Sequence, residues 1–323
     1  MERFLPVFLF VAALTLPFAA PAQSPYPFKP VRILCPFPPG GGVDITARAI
    51  AHELAGLLGQ PFTVENNPGA GGNIGAAEAA RAAPDGYTLF LTISSIHSIS
   101  PLVYAKLPFD PNRDFAYVAP LVSFSNVLVV NPSASARSVQ ELIAQAKSQP
   151  GRLTFASSGN GTTVHLVGEL FKTMAGIDIV HVPYKGSAPA LTDLLGGNVT
   201  MMFDTIPSAV SQIKSGKLRA LGVTGAKRSP LFPEVPTIAE SGLPGFDAGA
   251  WYGLVAPAAT PKDIVARLNT EALRGANGKE FRDRMEPLGF EILSGSPERM
   301  AEMLKADLAR WAPVVKASGA KVE

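Results

Sequence analysis

Six short apolar runs in this chain each end in a loop of small or polar residues, and five lead on into a helical pattern. Strands that alternate with helices imply a parallel sheet with right-handed crossovers, so the α/β class follows from this grammar alone. Residues 31–36 form the first run, followed by Phe37-Pro38-Pro39-Gly40-Gly41-Gly42-Val43-Asp44. A helix then carries Ile45, Ala49, Ile50, Leu54, Leu57 and Leu58 on one face, with Gly59 suited to its C-terminal cap. Residues 62–65 and 87–92 are the second and third strands, with loops 66–73 and 93–97 after them. The pattern restarts with strands at 152–156, 178–182 and 199–203, a helix after each, and a closing strand at 218–223.

Two such sets make two lobes. Residues 126–130 and 251–257 are strand-like and belong to neither set, so they are expected to be crossover strands between the lobes. The division expected is lobe one over residues 23–127, lobe two over 128–250, and a return to lobe one over 251–323. The tail carries two helix starts, Thr260-Pro261-Lys262-Asp263 and Ser296-Pro297-Glu298-Arg299, each with a cap residue, a proline and an early acid. At the N-terminus, Met1-Glu2-Arg3 precedes an apolar run from Phe4 to Phe18 and an Ala20-Pro21-Ala22 cleavage site. That run is shorter than the roughly 20 residues a membrane span needs. It reads as a signal peptide over residues 1–22, and hence as export to the periplasm.

Composition narrows the function. With 28 Lys+Arg against 26 Asp+Glu the net charge is only +2, and no basic stripe stands out, so no nucleic-acid partner is expected. One cysteine excludes an intrachain disulfide framework, and Cys35 sits in a strand where a buried inert thiol is expected. No metal site or cofactor is expected: the histidines at 52, 97, 165 and 181 share no ligand spacing, and no Walker A loop is present. Gly69-Ala70-Gly71-Gly72-Asn73-Ile74-Gly75 approaches a dinucleotide fingerprint, but Ile74 occupies the final glycine's place.

In a parallel sheet, ligands bind beyond the carboxyl ends of the strands. There this chain places glycine-rich loops whose free N–H groups, with helix N-termini, make an anion site without cationic side chains. The three lobe-one loops contain no Lys or Arg, and lobe two offers only Lys185. His97 and His165 follow such loops and are candidate donors to a ligand; His52 reads as a surface or half-buried residue and His181 as structural. Asp44 and Asp204 each lie between a strand and a helix, where N-capping is the expected role. Asp204 is also a candidate to face the cleft and favour a ligand with a donor group. No G-x-S-x-G elbow is present. Ser157 or Ser158 would be the nucleophile of a competing exported α/β hydrolase, although no general base lies near them in sequence.

Several blocks together resemble the Bug-type extracytoplasmic solute receptors of tripartite tricarboxylate transporters. They are the 36–44 loop, Glu65-Asn66-Asn67-Pro68-Gly69-Ala70-Gly71-Gly72-Asn73-Ile74-Gly75, Pro84-Asp85-Gly86-Tyr87-Thr88-Leu89, Ser158-Gly159-Asn160-Gly161-Thr162, Val182-Pro183-Tyr184-Lys185-Gly186, Pro236-Thr237 and Trp251-Tyr252-Gly253-Leu254. The resemblance covers essentially the whole mature chain. It implies a type II periplasmic-binding-protein fold, in which two βαβ lobes joined by two crossover strands close over a cleft. It implies that one carboxylate is held by Phe37, Gly40, Gly41, Gly42 and Asp44 together with Gly69, Ala70, Gly71, Gly72 and Asn73. Ser94 and Ser95 would line the same pocket. The distal end would meet Ser157, Ser158, Gly159, Asn160, Thr162, Thr163 and the region of Asp204. Thr163-Val164 departs from the Pro-Ser pair commoner in the family before the histidine. The expected function is a monomeric, non-enzymatic receptor that binds a small organic acid and delivers it to membrane permease subunits. A ligand-sensing accessory to a membrane kinase is the alternative.

Overall fold

A computed structural model describes residues 26–322, so the expected signal peptide lies outside the described residues. Among the described residues no helix is long and apolar enough to cross a membrane. Lobe one opens with β1 (Val31–Cys35), α1 (Gly42–Leu58), β2 (Phe62–Asn66), α2 (Asn73–Ala80) and β3 (Thr88–Ile93). The 93–97 segment, read from sequence as a loop, is instead helical: α3 (Ser94–Ser98), followed by the single turn α4 (Ser100–Val103). Then comes β4 (Phe115–Val130), far longer than the expected 126–130. Lobe two follows with α5 (Val139–Ser148), β5 (Thr154–Ser157), α6 (Thr163–Ala175), β6 (Val180–Pro183), α7 (Ser187–Leu195), β7 (Met201–Thr205), α8 (Ile206–Lys214) and β8 (Arg219–Val223). The chain returns through β9 (Gly249–Pro257) to α9 (Lys262–Ala276), α10 (Lys279–Met285), β10 (Glu291–Ile292) and α11 (Pro297–Ser318).

The strand order is β2-β1-β3-β9-β4-β7-β5-β6, with β8 and β10 also paired to β4. The β2-β1-β3 and β6-β5-β7 sets are parallel, as strand–helix alternation requires. β4 joins them. Its first part runs antiparallel to β9 as far as Ser125, and from Asn126 onward it pairs with β7 and β8. Its lobe-two end, residues 127–130, is apolar and largely β-branched because both faces are covered, Val127 and Val129 by one core and Leu128 and Val130 by another. The pairing slips on either side of Pro120, which has no N–H to give to a ladder. At the junction between lobes, Thr224 staples both crossovers. Its N–H donates to the Asn126 carbonyl at 2.9 Å, its hydroxyl accepts the Asn126 N–H at 2.9 Å, and Ala248 N–H donates to its carbonyl at 2.8 Å.

One core lies between the lobe-one sheet and α1, α2, α9 and α10, and two lie on the opposite faces of the lobe-two sheet. Helix α11 is shared: Met300 and Leu304 belong to the first core, Trp311 and Val315 to the second. Ser296 caps α11 by accepting the Arg299 N–H, as its start signal predicts. The other predicted start is displaced by one residue, because Pro261 takes the cap position of α9 and the Thr260 hydroxyl donates to the Pro257 carbonyl instead.

Candidate functional site

Where the lobes face each other, the N-termini of α1, α6, α7 and α8 converge on a narrow cavity of about 30 Å³. Each terminus leaves first-turn N–H groups without intrahelical partners and adds the positive end of a helix dipole. Ser158, Thr162, Thr163, Ser187, Thr205, Ser208 and Tyr252 bring hydroxyl-bearing residues to its wall, and Phe37, Pro38, Val43, Ile93, Phe124 and Val164 bring apolar ones. None of its lining residues is charged. The arrangement suits a small anion with an apolar body, held by N–H and O–H donors.

The lobes touch across this cavity. The Gly42 N–H, at the start of α1, donates to Ser208 Oγ of α8 at 3.2 Å. A Cβ on Gly186 would lie 2.7 Å from Pro38 Cδ, and one on Gly71 would overlap the Asn160 carbonyl oxygen. A second recess opens beside the first. It is lined by Gly69, Ala70 and Gly71 from lobe one and by Ser158, Gly159, Asn160 and Lys185 from lobe two.

The first loop is held by Asp44. Gly41 is the cap residue of α1 and gives no side-chain cap, so the carboxylate of Asp44 in the first turn reaches back to accept the Gly40 N–H at 3.0 Å. It also accepts from Arg48 at 2.9 Å and from Asn66 Nδ2 at 2.9 Å, and the same amide donates to the Phe37 carbonyl. Burial alone would raise the Asp44 pKa, but these donors outweigh it and hold the carboxyl below its ordinary value. Asp204 departs from its expected capping role. It lies inside β7, and Thr205 caps α8 by accepting the Ser208 N–H. Asp204 is buried, accepts from Ser187 Oγ at 2.7 Å and from Thr205 N–H at 2.8 Å, and burial raises it to about 7.

Six of the residues singled out in the sequence line the main cavity: Phe37, Gly41, Gly42, Ser158, Thr162 and Thr163. Gly69, Ala70, Gly71, Gly159 and Asn160 line the second recess. Gly40, Asp44, Gly72, Asn73, Ser94, Ser95, Ser157, His165 and Asp204 line neither. Thr163 Oγ1 is buried with no hydrogen-bond partner in the protein, as are the side-chain N and O of Asn126 on β4. Sequence reasoning passed over Phe124 and Tyr252, whose rings stand 4.5 Å apart in the cavity wall. Tyr252 lies on the expected 251–257 crossover, which was the available signal, whereas Phe124 lies outside the expected 126–130 strand and gave none.

The histidines are committed elsewhere. His97 has no exposure; its ring nitrogens lie 2.9 Å from Thr92 Oγ1 and 2.6 Å from the Pro111 carbonyl, and it does not reach the cavity. His52 pairs with Glu280 on the surface. His165 accepts the Gly161 N–H and stacks on His181 at 4.0 Å. His181 Nε2 lies 2.6 Å from Ser157 Oγ, a pairing the sequence did not reveal. Ser157 is wholly buried, and its oxygen also accepts the Gly159 N–H at 3.1 Å, so this contact shapes the loop. Burial pushes His165 down to about 4 and, with the neighbouring His165, pushes His181 down to about 3. Cys35 is buried, and its thiol is pushed up to about 12.

A sequence profile described as "Tripartite tricarboxylate transporter family receptor" matches residues 46–320. Among solved structures, Rhodopseudomonas palustris Rpa4515 with adipate is 39% identical at a TM-score of 0.89, covering 92% of this chain and all of that one. The periplasmic binding protein BugD is 35% identical at a TM-score of 0.88, over 92% and 100% of the two chains. MatC from Rhodopseudomonas palustris with bound malate is 35% identical at a TM-score of 0.86, over 90% and 100%. By these matches the chain belongs to the tripartite tricarboxylate transporter receptor family, the Bug-type solute-binding receptors.

Proposed function

We propose that this chain is a periplasmic receptor that captures a small carboxylate between its lobes and delivers it to membrane permease subunits. The observation that carries this is the uncharged cavity on which four helix N-termini converge. Two relatives on the same fold hold adipate and malate, both acids. In this reading Phe37, Gly40–Gly42 and Asp44 form the lobe-one end of the site, with Gly69–Asn73, Ser94 and Ser95 around it. Ser157–Asn160, Thr162, Thr163, His165 and Asp204 form or support the lobe-two end. The lobe boundaries are placed at 127/128 and 250/251, with α11 riding on both. Export by the signal peptide over residues 1–22, a monomeric state and the lack of catalysis belong to the same proposal. The relatives lend no support to the hydrolase or the sensor alternative.

Gly42→Val tests the location. Gly42 has an ordinary helical backbone, and a Cβ there would stand 3.0 Å from Tyr252 Oη and 3.5 Å from Thr205 Oγ1. The variant is expected to fold normally and to lose the thermal stabilisation that the wild type gains from di- and tricarboxylates. At 100 Kd that gain is about 2.7 kcal/mol. An equal gain in the variant would move the site elsewhere.

A further inference from the structure

Asp204 stands directly behind the cavity wall. It lies wholly buried on β7, on the face that Met202 shares, while Phe203 faces the opposite core. Its Oδ1 accepts the hydroxyl proton of Ser187, and Ser187 lines the cavity at the N-terminus of α7. Its Oδ2 has no hydrogen-bond partner in the protein. A buried carboxylate with one idle oxygen and no cation is costly, and protonation is the usual relief.

Among the described residues Asp204 pairs with no cation: its partners are Ser187 and Thr205, and Lys185, two residues before Ser187, lines the neighbouring recess. β4 carries no acid or base, only Tyr117 at its lobe-one end, and β5 has no ionisable residue. On α7 the one ionisable group is Asp193, held by Tyr184 Oη and Asn198. On α8 it is Lys214, in the last turn. Helix α6, over the opposite face, contributes His165, Glu169 and Lys172. The 286–288 turn packed against α8 has Glu286, paired with Arg282. From β9 comes Tyr252, whose hydroxyl is kept protonated by burial and by Asp204 itself. Across the cleft, the Asp44 carboxylate is occupied by Arg48, Asn66 and Gly40.

We infer that Asp204 is a positioning residue that couples binding of a second carboxylate, at the lobe-two end of the cavity, to uptake of one proton. With Asp204 ionised, Ser187 spends its proton on Oδ1 and shows the ligand only lone pairs, which repel a carboxylate. When a solvent proton neutralises Asp204, the carboxyl presents its O–H to Ser187 Oγ and keeps an oxygen for the Thr205 N–H, and the serine proton turns to the ligand oxygen. No covalent bond to the ligand forms; one proton moves from solvent to Asp204. The raised Asp204 pKa, about 7, places the exchange near neutral pH. This rests on the carboxylate reading above and gives the ligand class as dicarboxylates, bound more tightly as pH falls.

The test is calorimetric titration of the wild type with adipate at about pH 6.5 and about pH 8.5, in two buffers of different ionisation heat. The expected result is uptake approaching one proton at the higher pH and a Kd weakened up to tenfold per pH unit above about 7. Hexanoate, the same chain without the distal carboxylate, should bind without proton uptake. Asp204→Asn should remove both the uptake and the pH dependence, whereas a merely structural role would weaken binding equally at both pH values. Ser187→Ala, which removes only the relay, should flatten the pH profile as well. Adipate binding with a pH-independent Kd and no uptake, or the same uptake with hexanoate, would overturn the inference. Lack of binding by either acid at either pH refutes the carboxylate reading itself.

Discussion

Replacing Asp44 by alanine separates the scaffold of the first loop from its chemistry. The carboxylate accepts from the Gly40 N–H, from Asn66 Nδ2 and from Arg48, and its own side chain is only 5% exposed. A hydrogen bond to a charged group contributes roughly 1.5–3 kcal/mol, while the ion pair to Arg48, a side chain 52% exposed, adds at most about 1 kcal/mol. Gly40 N–H and Arg48 regain water once the acceptor is gone, so the net loss expected is about 2 kcal/mol, or roughly 3 °C in Tm. The sign of the pH dependence follows from the lowered pKa of Asp44. Its contribution is present above the ordinary aspartate pKa and is lost as pH falls through the lower native value. Urea melts at neutral pH should therefore show the full deficit, and the two proteins should converge in acid once the pH falls below the lowered native pKa of Asp44. Ligand affinity should fall with it, because the loop that leads into Gly41 and Gly42 loses its tether at the Gly40 N–H. A variant as stable as the wild type at neutral pH, or one whose deficit persists unchanged in acid, would refute the loop's dependence on this carboxylate.

Three further outcomes are expected. His165 and His181 are buried and depressed to about 4 and about 3, so they favour the folded state above their unfolded pKa and weaken it as pH falls toward those values. His181→Gln should accordingly flatten the stability loss between roughly pH 6 and pH 4 in acid titrations followed by circular dichroism. Gly186→Ala places a methyl against Pro38 across the cleft, so small-angle scattering with saturating ligand should show a larger radius of gyration than the wild type. In the same assay Gly71→Ala should behave alike, since its methyl meets the Asn160 carbonyl, and a fully compact liganded form of both variants would contradict closure through these contacts.

The grammar of the fold was legible because the inner parallel strands β1, β3, β5 and β7 are largely buried and read as short apolar runs, each ended by small or polar residues. Strand β4 was not. Pro120 and the serines 123 and 125 break its apolar run, and only the two lobes together explain a strand that changes partners at Asn126. Loop residues at the cavity were legible where glycine or hydroxyl residues precede a helix, as at Gly41, Gly42, Thr162 and Thr163. Phe124 and Tyr252 were not, since an aromatic residue on a strand looks the same in sequence whether it faces a core or a cleft. Asp204 was flagged for its position, but its capping role failed because Thr205, one residue later, has the extended backbone and free hydroxyl that a cap needs. The Ser157–His181 contact pairs residues 24 apart on adjacent strands, and only the β5–β6 register brings them together.

The central claim is that an acid is held between the lobes by N–H and O–H groups in a cavity with no charged lining residue. Titration of the purified chain with adipate and malate, at about 50 mM and about 500 mM salt, tests it most directly, because surface ion pairs are screened over this range. The predicted result is saturable one-to-one binding with a Kd that changes less than about threefold between the two conditions. Failure of both acids to bind, or a Kd weakened more than about tenfold by salt, would contradict it.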